Sequence, residues 1–366
     1  MAELTKVKTP QSKARARKDG AAIPLDAADK RLMNVMQSEF PLIAEPYVQI
    51  AERAQMPVDE AMARARHLLD NRIIREITPI FDTRTLGYSS MLVAAKVDSE
   101  FPHRPAEIIN SHPGVSHNYL RTHEFNLWFT IATPPDSELG LQGTLDVLQR
   151  ETGAESIRQL PTLTMFKINM NLEMEGGTDA LAAKVEAIPP RELEPQPYDD
   201  RDVAVIRATQ GPMAVVDRPY DEAAAELGMT TEELLARLGQ MIDRKILRRV
   251  AAILFHRRAG FSANGMGVWK VAPEDVPEIG GRMAAVRGIS HCYERPTYED
   301  WPYSVVTMAH GRSKEECDAV LDSIADDHGL HGDDRAVLYS STEFKKIRLL
   351  YFTDDYAEWE QTHGGG

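Results

Sequence analysis

Two six-residue phrases carry the side chains best suited to chemistry. Ser116-His117-Asn118-Tyr119-Leu120-Arg121 and Ser290-His291-Cys292-Tyr293-Glu294-Arg295 each set an imidazole, a phenol and a guanidinium close together. A neutral imidazole can ligate a metal and its conjugate acid can deliver a proton near neutral pH, while a guanidinium holds carboxylates. A lone histidine on a strand is more often a satisfied structural residue. Its recurrence here beside Tyr and Arg reverses that weighting. His123 belongs to the first copy alone, since Thr297 takes its place in the second. Trp128, Trp301 and Tyr303 can wall a flat ligand, although aromatic residues at strand spacing are core packing more often. Five further cations, Arg72, Arg75, Lys245, Arg248 and Arg249, stand where an edge strand begins. From there they can reach a neighbouring domain, and edge-strand solubility explains any one of them equally well.

These phrases belong to a larger repeat. Asp70-Asn71-Arg72-Ile73-Ile74-Arg75 returns about 173 residues later as Asp243-Arg244-Lys245-Ile246-Leu247-Arg248, and Glu45-Pro46-Tyr47 returns as Arg218-Pro219-Tyr220. The Ser-His phrase returns one residue further on, which implies a single insertion. The chain is therefore a fused pseudo-dimer whose diverged halves can enclose an asymmetric cleft.

With 366 residues, each half is long enough to bury a core of its own. The net charge of -14 opposes nonspecific binding to nucleic acid. A basic stretch, Lys6 to Lys18, stands apart as a solvated arm. No apolar run approaches membrane-spanning length and no apolar segment follows the basic N-terminus, so a cytoplasmic protein without membrane partners is expected. Cys292 and Cys317 match no zinc-ligand spacing and are expected as free thiols. Gly-rich phosphate loops, HExxH and CxxC are missing.

The periodicity predicts an α+β protein, a tandem repeat of a winged helix-turn-helix unit followed by a ferredoxin-like β-α-β-β-α-β domain. The expected boundaries are a disordered basic tail over 1–24, the first winged unit over 25–83 and the first ferredoxin-like domain over 84–175. A Pro-rich linker over 176–197 follows, then the second winged unit over 198–256, the second ferredoxin-like domain over 257–352 and a C-terminal tail over 353–366, frayed at its last glycines. Asp26 is placed as the first N-cap. Ile73 to Ile77 and Pro79 to Phe81 read as the two strands of the first wing, and Gly265-Met266-Gly267 as a point of close packing or a bulge.

Leu25-Asp26-Ala27-Ala28-Asp29 and Pro46-Tyr47-Val48-Gln49-Ile50-Ala51, within this architecture, resemble the Lrp/AsnC transcription regulators. The Ser116–Arg121 phrase with Asn126-Leu127-Trp128-Phe129, and His291-Cys292-Tyr293-Glu294-Arg295-Pro296 with Asp300-Trp301-Pro302-Tyr303, resemble instead the two subunits of the siroheme decarboxylases. That resemblance spans residues 25 to 352. It implies removal of carbon dioxide from the C12 and C18 acetates of siroheme to give didecarboxysiroheme, for heme d1 or an alternative heme route. It also implies no cofactor beyond the iron of the substrate. His291, Tyr293, Arg295 and His117 become the catalytic candidates, with His291 a candidate axial ligand to that iron. The substrate-binding candidates are Arg72, Arg75, Arg121, His123, Trp128, Lys245, Arg248, Arg249, Trp301 and Tyr303.

The second copy, where His291 to Tyr303 are concentrated, is the expected working half, and the pseudo-dimer can pair again into a larger homo-oligomer. The rival readings are a DNA-binding regulator and a tetrapyrrole-binding scaffold without turnover. The third helix of each unit opens acidic, with Val58-Asp59-Glu60 and Thr231-Glu232-Glu233, and only Arg64 and Arg66 favour DNA, so no DNA partner is expected.

Overall fold

Each copy begins with an aspartate that closes a helix start. In the computed structural model, which describes residues 24–38, 40–168, 194–255, 263–311 and 313–365, the Asp29 amide donates to Asp26 Oδ1 at 2.7 Å and the Asp26 amide to Asp29 Oδ2 at 3.2 Å. Asp199 and Asp202 make the same reciprocal pair in the second copy. Such boxes satisfy backbone donors that the helix leaves open. The expected basic tail up to residue 23 and the expected linker up to residue 193 lie outside the described residues.

The first helical unit is α1 (Ala27–Ser38), α2 (Pro46–Ala54) and α3 (Val58–Asp70), and strand β1 (Ile74–Phe81) follows it. Next come β2 (Ser89–Lys96), α4 (His103–Ser111), β3 (Val115–Arg121), β4 (Leu127–Thr133), α5 (Gly140–Thr152), β5 (Ser156–Gln159) and β6 (Thr164–Ile168). The second copy runs α6 (Asp200–Thr209), α7 (Asp221–Glu226), α8 (Thr231–Asp243), β7 (Leu247–Leu254), β8 (Ala263–Trp269), α9 (Val276–Ala285), β9 (Ile289–Glu294), β10 (Val305–Gly311), α10 (Lys314–His328) and β11 (Arg335–Lys346).

The wing is where the structure departs from the sequence reading. Residues 74–81 form one strand rather than a hairpin, and it pairs antiparallel with β7 of the other copy, Pro79 opposite Val250. A two-stranded ladder leaves each strand an unpaired edge, so a proline without an N–H is tolerated in it. The helical units follow the exchange. The first core includes Val250 and Ala252 of β7, and the second includes Phe81 of β1.

The remaining nine strands are ordered β5-β2-β4-β3-β11-β8-β10-β9-β6. β6, from the first copy, pairs with β9 of the second. In return β11 pairs with β8 over Arg335–Tyr339 and then with β3 over Ser340–Lys346. Each copy thus lends its last strand to the other, the first copy in two pieces and the second in one. One sheet face of each copy packs on its helices, with Val93, Leu127 and Phe129 over α4 and α5 and Trp269, Val305 and Cys292 over α9 and α10. The other faces meet in a shared core that contains Trp128, Trp301, Phe125, Met266, Val268 and Leu338. Gly267 marks close packing, as expected: a Cβ there would stand 2.8 Å from both Leu321 Cδ2 and Thr307 Oγ1.

The expected C-terminal tail holds a helix, α11 (Asp355–His363), with Tyr356 and Trp359 buried and Trp359 in the core of the first ferredoxin-like domain. Glu360 accepts from Ser137, and His363 Nδ1 lies 2.9 Å from Glu151. The second copy's end therefore closes over the first.

Strand exchange on both sides makes each half dependent on the other. Expressed as two chains divided between residues 180 and 181, the halves are expected to co-purify as a stable pair, and each alone to be aggregated or unfolded. Two well-folded, separable halves in size-exclusion chromatography and circular dichroism would contradict the exchange.

Candidate active site

Residues at alternate positions of a strand share a face, and the two Ser-His phrases use that rule identically. On β3, His117, Tyr119 and Arg121 share one face, while Asn118 between them points to the helices and donates to the Ala106 carbonyl at 3.3 Å. His291 and Tyr293 on β9 and Arg295 just after it do the same, with Cys292 buried against α9. The ring centroids are 6.2 Å apart for His117 and Tyr119 and 5.9 Å for His291 and Tyr293. Arg121 lies 5.9 Å over the Tyr119 ring, and Arg295 4.9 Å over that of Tyr293. The second stripe also faces His310 of β10, its ring 6.4 Å from His291.

Both stripes start at a β-bulge. The register slips between Val115 and His117 on β3, and opposite Ile289 and His291 on β9, so Ser116 and Ser290 are the extra residues. Bulges re-aim side chains. Here each puts a hydroxyl on its neighbour's imidazole, Ser116 Oγ at 3.0 Å and Ser290 Oγ at 2.6 Å from Nδ1.

Both arginines are cations with a buried Nε, and their hydrogen bonds go to backbone at the strand exchange. Arg121 donates to the Leu338 carbonyl of β11, and Arg295 to the Leu160 carbonyl between β5 and β6. Among the described residues, the Nε atoms of both have no partner and neither guanidinium has a carboxylate partner. Burial lowers both to about 10. An uncompensated buried charge is costly, so each is a ready acceptor site for an anion.

The histidines are poised the other way. Burial brings His117 down to about 4, helped by Lys346 and Arg75 and opposed by Glu343, and it brings His291 to about 4, helped by His310. Both are neutral at pH 7. Burial raises the Tyr293 phenol, against the opposing charge of Arg295, so it keeps its proton.

Of the five wing cations, Arg75 alone is shown at a stripe, donating to the Lys346 carbonyl at 3.5 Å beside His117. Arg72 and Lys245 are exposed residues at the turns that end α3 and α8, with φ of 55° and 61°, and Arg248 and Arg249 are exposed on β7. Trp128 and Trp301 are 2% and 0% exposed, with ring centroids 5.4 Å apart. Their faces are taken up by the shared core rather than free to wall a ligand. His123 and Tyr303 border that core, both against Trp301.

Sequence reasoning passed over Lys345, whose burial lowers it to about 8, and which donates to the carbonyls of Asn110 and His112. It lies beside Asn118 as Lys167 lies beside Cys292, an equivalence visible only once the strand exchange is known. Two clefts stand out, the first at the Arg295 end of the second stripe. One of about 490 Å³ borders Arg295, Lys270 and Asp334, and one of about 540 Å³ lies between Tyr88, Arg207 and Glu360.

The arginines that favoured DNA are committed within the chain. Arg64 binds Asp26, Asp29 and Glu60 at 2.8 Å each, and Arg66 donates twice to the Val215 carbonyl.

Comparison with known proteins agrees with this plan. A family model described as the AsnC-like ligand binding domain matches residues 85–167 and 258–345, and one described as the siroheme decarboxylase NirDL-like HTH domain matches 29–75 and 202–248. The siroheme decarboxylase of Hydrogenobacter thermophilus is 36% identical over 333 residues, covering 90% of this chain and 96% of its own. The crystal structure of the siroheme decarboxylase NirDL is 31% identical with a TM-score of 0.73, covering 92% of this chain and 97% of that one. NirDL in co-complex with an iron-uroporphyrin III analogue is 31% identical with a TM-score of 0.72, covering 91% and 97%.

The depressed histidines make stability depend on pH. A histidine whose folded pKa is about 4 against an ordinary 6.5 binds its proton more weakly when folded. Its contribution is therefore present above about pH 6.5 and is lost as pH falls towards about 4. In urea denaturation, the midpoint of the native chain is expected to drop more between about pH 7 and about pH 4.5 than that of a His117→Gln/His291→Gln variant. Equal drops would place the titration elsewhere.

Proposed function

This chain belongs to the siroheme decarboxylase family, and we propose that it removes carbon dioxide from the C12 and C18 acetates of siroheme. The product is 12,18-didecarboxysiroheme, for heme d1 or the alternative heme route, and the chain acts as a carboxy-lyase in the cytoplasm. The observation that carries the reading is the pair of buried guanidiniums, Arg121 and Arg295, each with an unmet Nε and no carboxylate of the described residues beside it. A macrocycle rimmed by carboxylates brings the missing charge, and charge-assisted bonds of this kind are among the strong ones.

The chemistry needs little else. As the C–C bond of a bound acetate breaks, carbon dioxide leaves and the electron pair passes into the conjugated ring. A proton then restores the carbon as a methyl group. No cofactor beyond the iron of the substrate is called for. Tyr293 suits the donor's part, since burial keeps it protonated at neutral pH and Arg295 over its ring steadies the phenolate left behind. Binding carboxylates beside His117 also opposes the burial that holds it neutral. The second copy is the proposed working half, because His310 adds a second imidazole there. The helix-turn-helix units act as scaffold, a reading supported by the internal partners of Arg64 and Arg66.

Anaerobic incubation with siroheme and mass spectrometry of the extracted tetrapyrrole tests the reading. The native chain is expected to remove two carbon dioxides, and Arg295→Gln to turn over about 10- to 100-fold more slowly, the worth of a bond to a charged group. Arg295→Lys, which keeps charge but not the fork, should fall between. Binding with unchanged mass favours a scaffold. No binding, with sequence-selective DNA retention, favours the regulator.

A further inference from the structure

The second bulge does more than place a hydroxyl beside an imidazole. Ser290 Oγ lies 2.6 Å from His291 Nδ1 and 3.3 Å from the Met308 carbonyl oxygen. A carbonyl oxygen can only accept, and a hydroxyl has one proton to give. Were that proton aimed at His291, the hydroxyl and carbonyl oxygens would face each other with no hydrogen between them. With the proton on the Met308 contact, both distances become bonds, and Nδ1 must be the donor to Ser290. We propose that Ser290 is a positioning residue that locks His291 as the Nδ1–H tautomer, leaving a bare Nε2 on the far side of the ring.

The first copy lacks this lock. Ser116 Oγ meets Thr130 Oγ1 at 2.7 Å, where either atom can donate, and Thr130 Oγ1 stands 3.4 Å from His117 Nδ1. Two mutually bonded hydroxyls can offer Nδ1 either a proton or a lone pair, so His117 is free to take either tautomer. At the place of Thr130 the second copy has Met308, whose side chain offers no hydroxyl and leaves the backbone carbonyl as the acceptor.

The proposal rests on the decarboxylase reading for its consequence, which is a division of roles within the second stripe. A bare Nε2 is a base or an iron ligand and holds no proton to give, so the proton that replaces carbon dioxide comes from Tyr293. Second partners of this sort commonly decide which nitrogen of a histidine is available.

The tautomer can be measured without substrate. In the full chain labelled with 15N-histidine, the His291 resonances, identified by their loss in His291→Gln, are expected to show Nε2 unprotonated and Nδ1 protonated at neutral pH. Ser290→Ala should shift the pair towards the other tautomer, and Ser290→Thr, which keeps the hydroxyl, should restore it. An Nε2–H signal in the native chain, or no change in Ser290→Ala, overturns the proposal whatever the chain does to siroheme. Where decarboxylation is observed, Ser290→Ala should lower kcat about tenfold or more with KM nearly unchanged, and Ser290→Thr should recover it. A change in KM alone would contradict the positioning role.

Discussion

Everything in this molecule depends on two strands that leave their own domain. β6 completes the second half-sheet and the far end of β11 completes the first, so neither ferredoxin-like unit has a full set of strands without the other. Backbone donors and acceptors buried in a sheet must be paired, and here the pairing crosses between copies on both sides. The exchange also sets the site. The carbonyls that receive Arg121 and Arg295 are those of Leu338 and Leu160, the residues at which each lent strand passes from one half to the other. The cations are thus held by the seam of the pseudo-dimer, not by side chains that would neutralise them.

The helical units show the same economy turned to a different end. Arg64 on α3 and Arg237 on α8 occupy equivalent places in the repeat, and each closes on the aspartate pair that caps its unit's first helix. A cation needed for a phosphate cannot also hold a capping box without losing one of the two. With β1 and β7 joined to each other, the wing strands that could flank a groove are instead an antiparallel ladder between copies.

Much of this was legible in the residues. The repeat, the Asp26 cap, the strands around both Ser-His phrases and the close packing at Gly267 follow from spacing and local propensity, which act over a few residues. What failed to show was long-range. Pro79 signalled a turn because proline interrupts most strands, and only a partner strand 170 residues away makes it part of a ladder. The C-terminal helix was missed although Tyr356 and Trp359 lie at helical spacing, because nine residues form no stable helix until the first domain's surface receives their aromatic face. At the site, the aromatic residues were visible but not their surroundings. Trp128 and Trp301 are shaped for a flat ligand in the sequence and are packed against each other in the fold, since side-chain type cannot say which sheet face will be closed by another copy.

The difference between the halves is chemical rather than architectural. Both have the bulge, the serine, the imidazole, the phenol and the buried guanidinium. They diverge in what the serine can give its proton to. A carbonyl accepts and does nothing else, whereas a threonine hydroxyl returns the favour, so one imidazole has a fixed polarity and the other does not. Around the fixed one stands a second imidazole, His310; around the other stand Arg75, Lys346 and Glu343. A fused pseudo-dimer thus obtains two different environments from a single repeated strand.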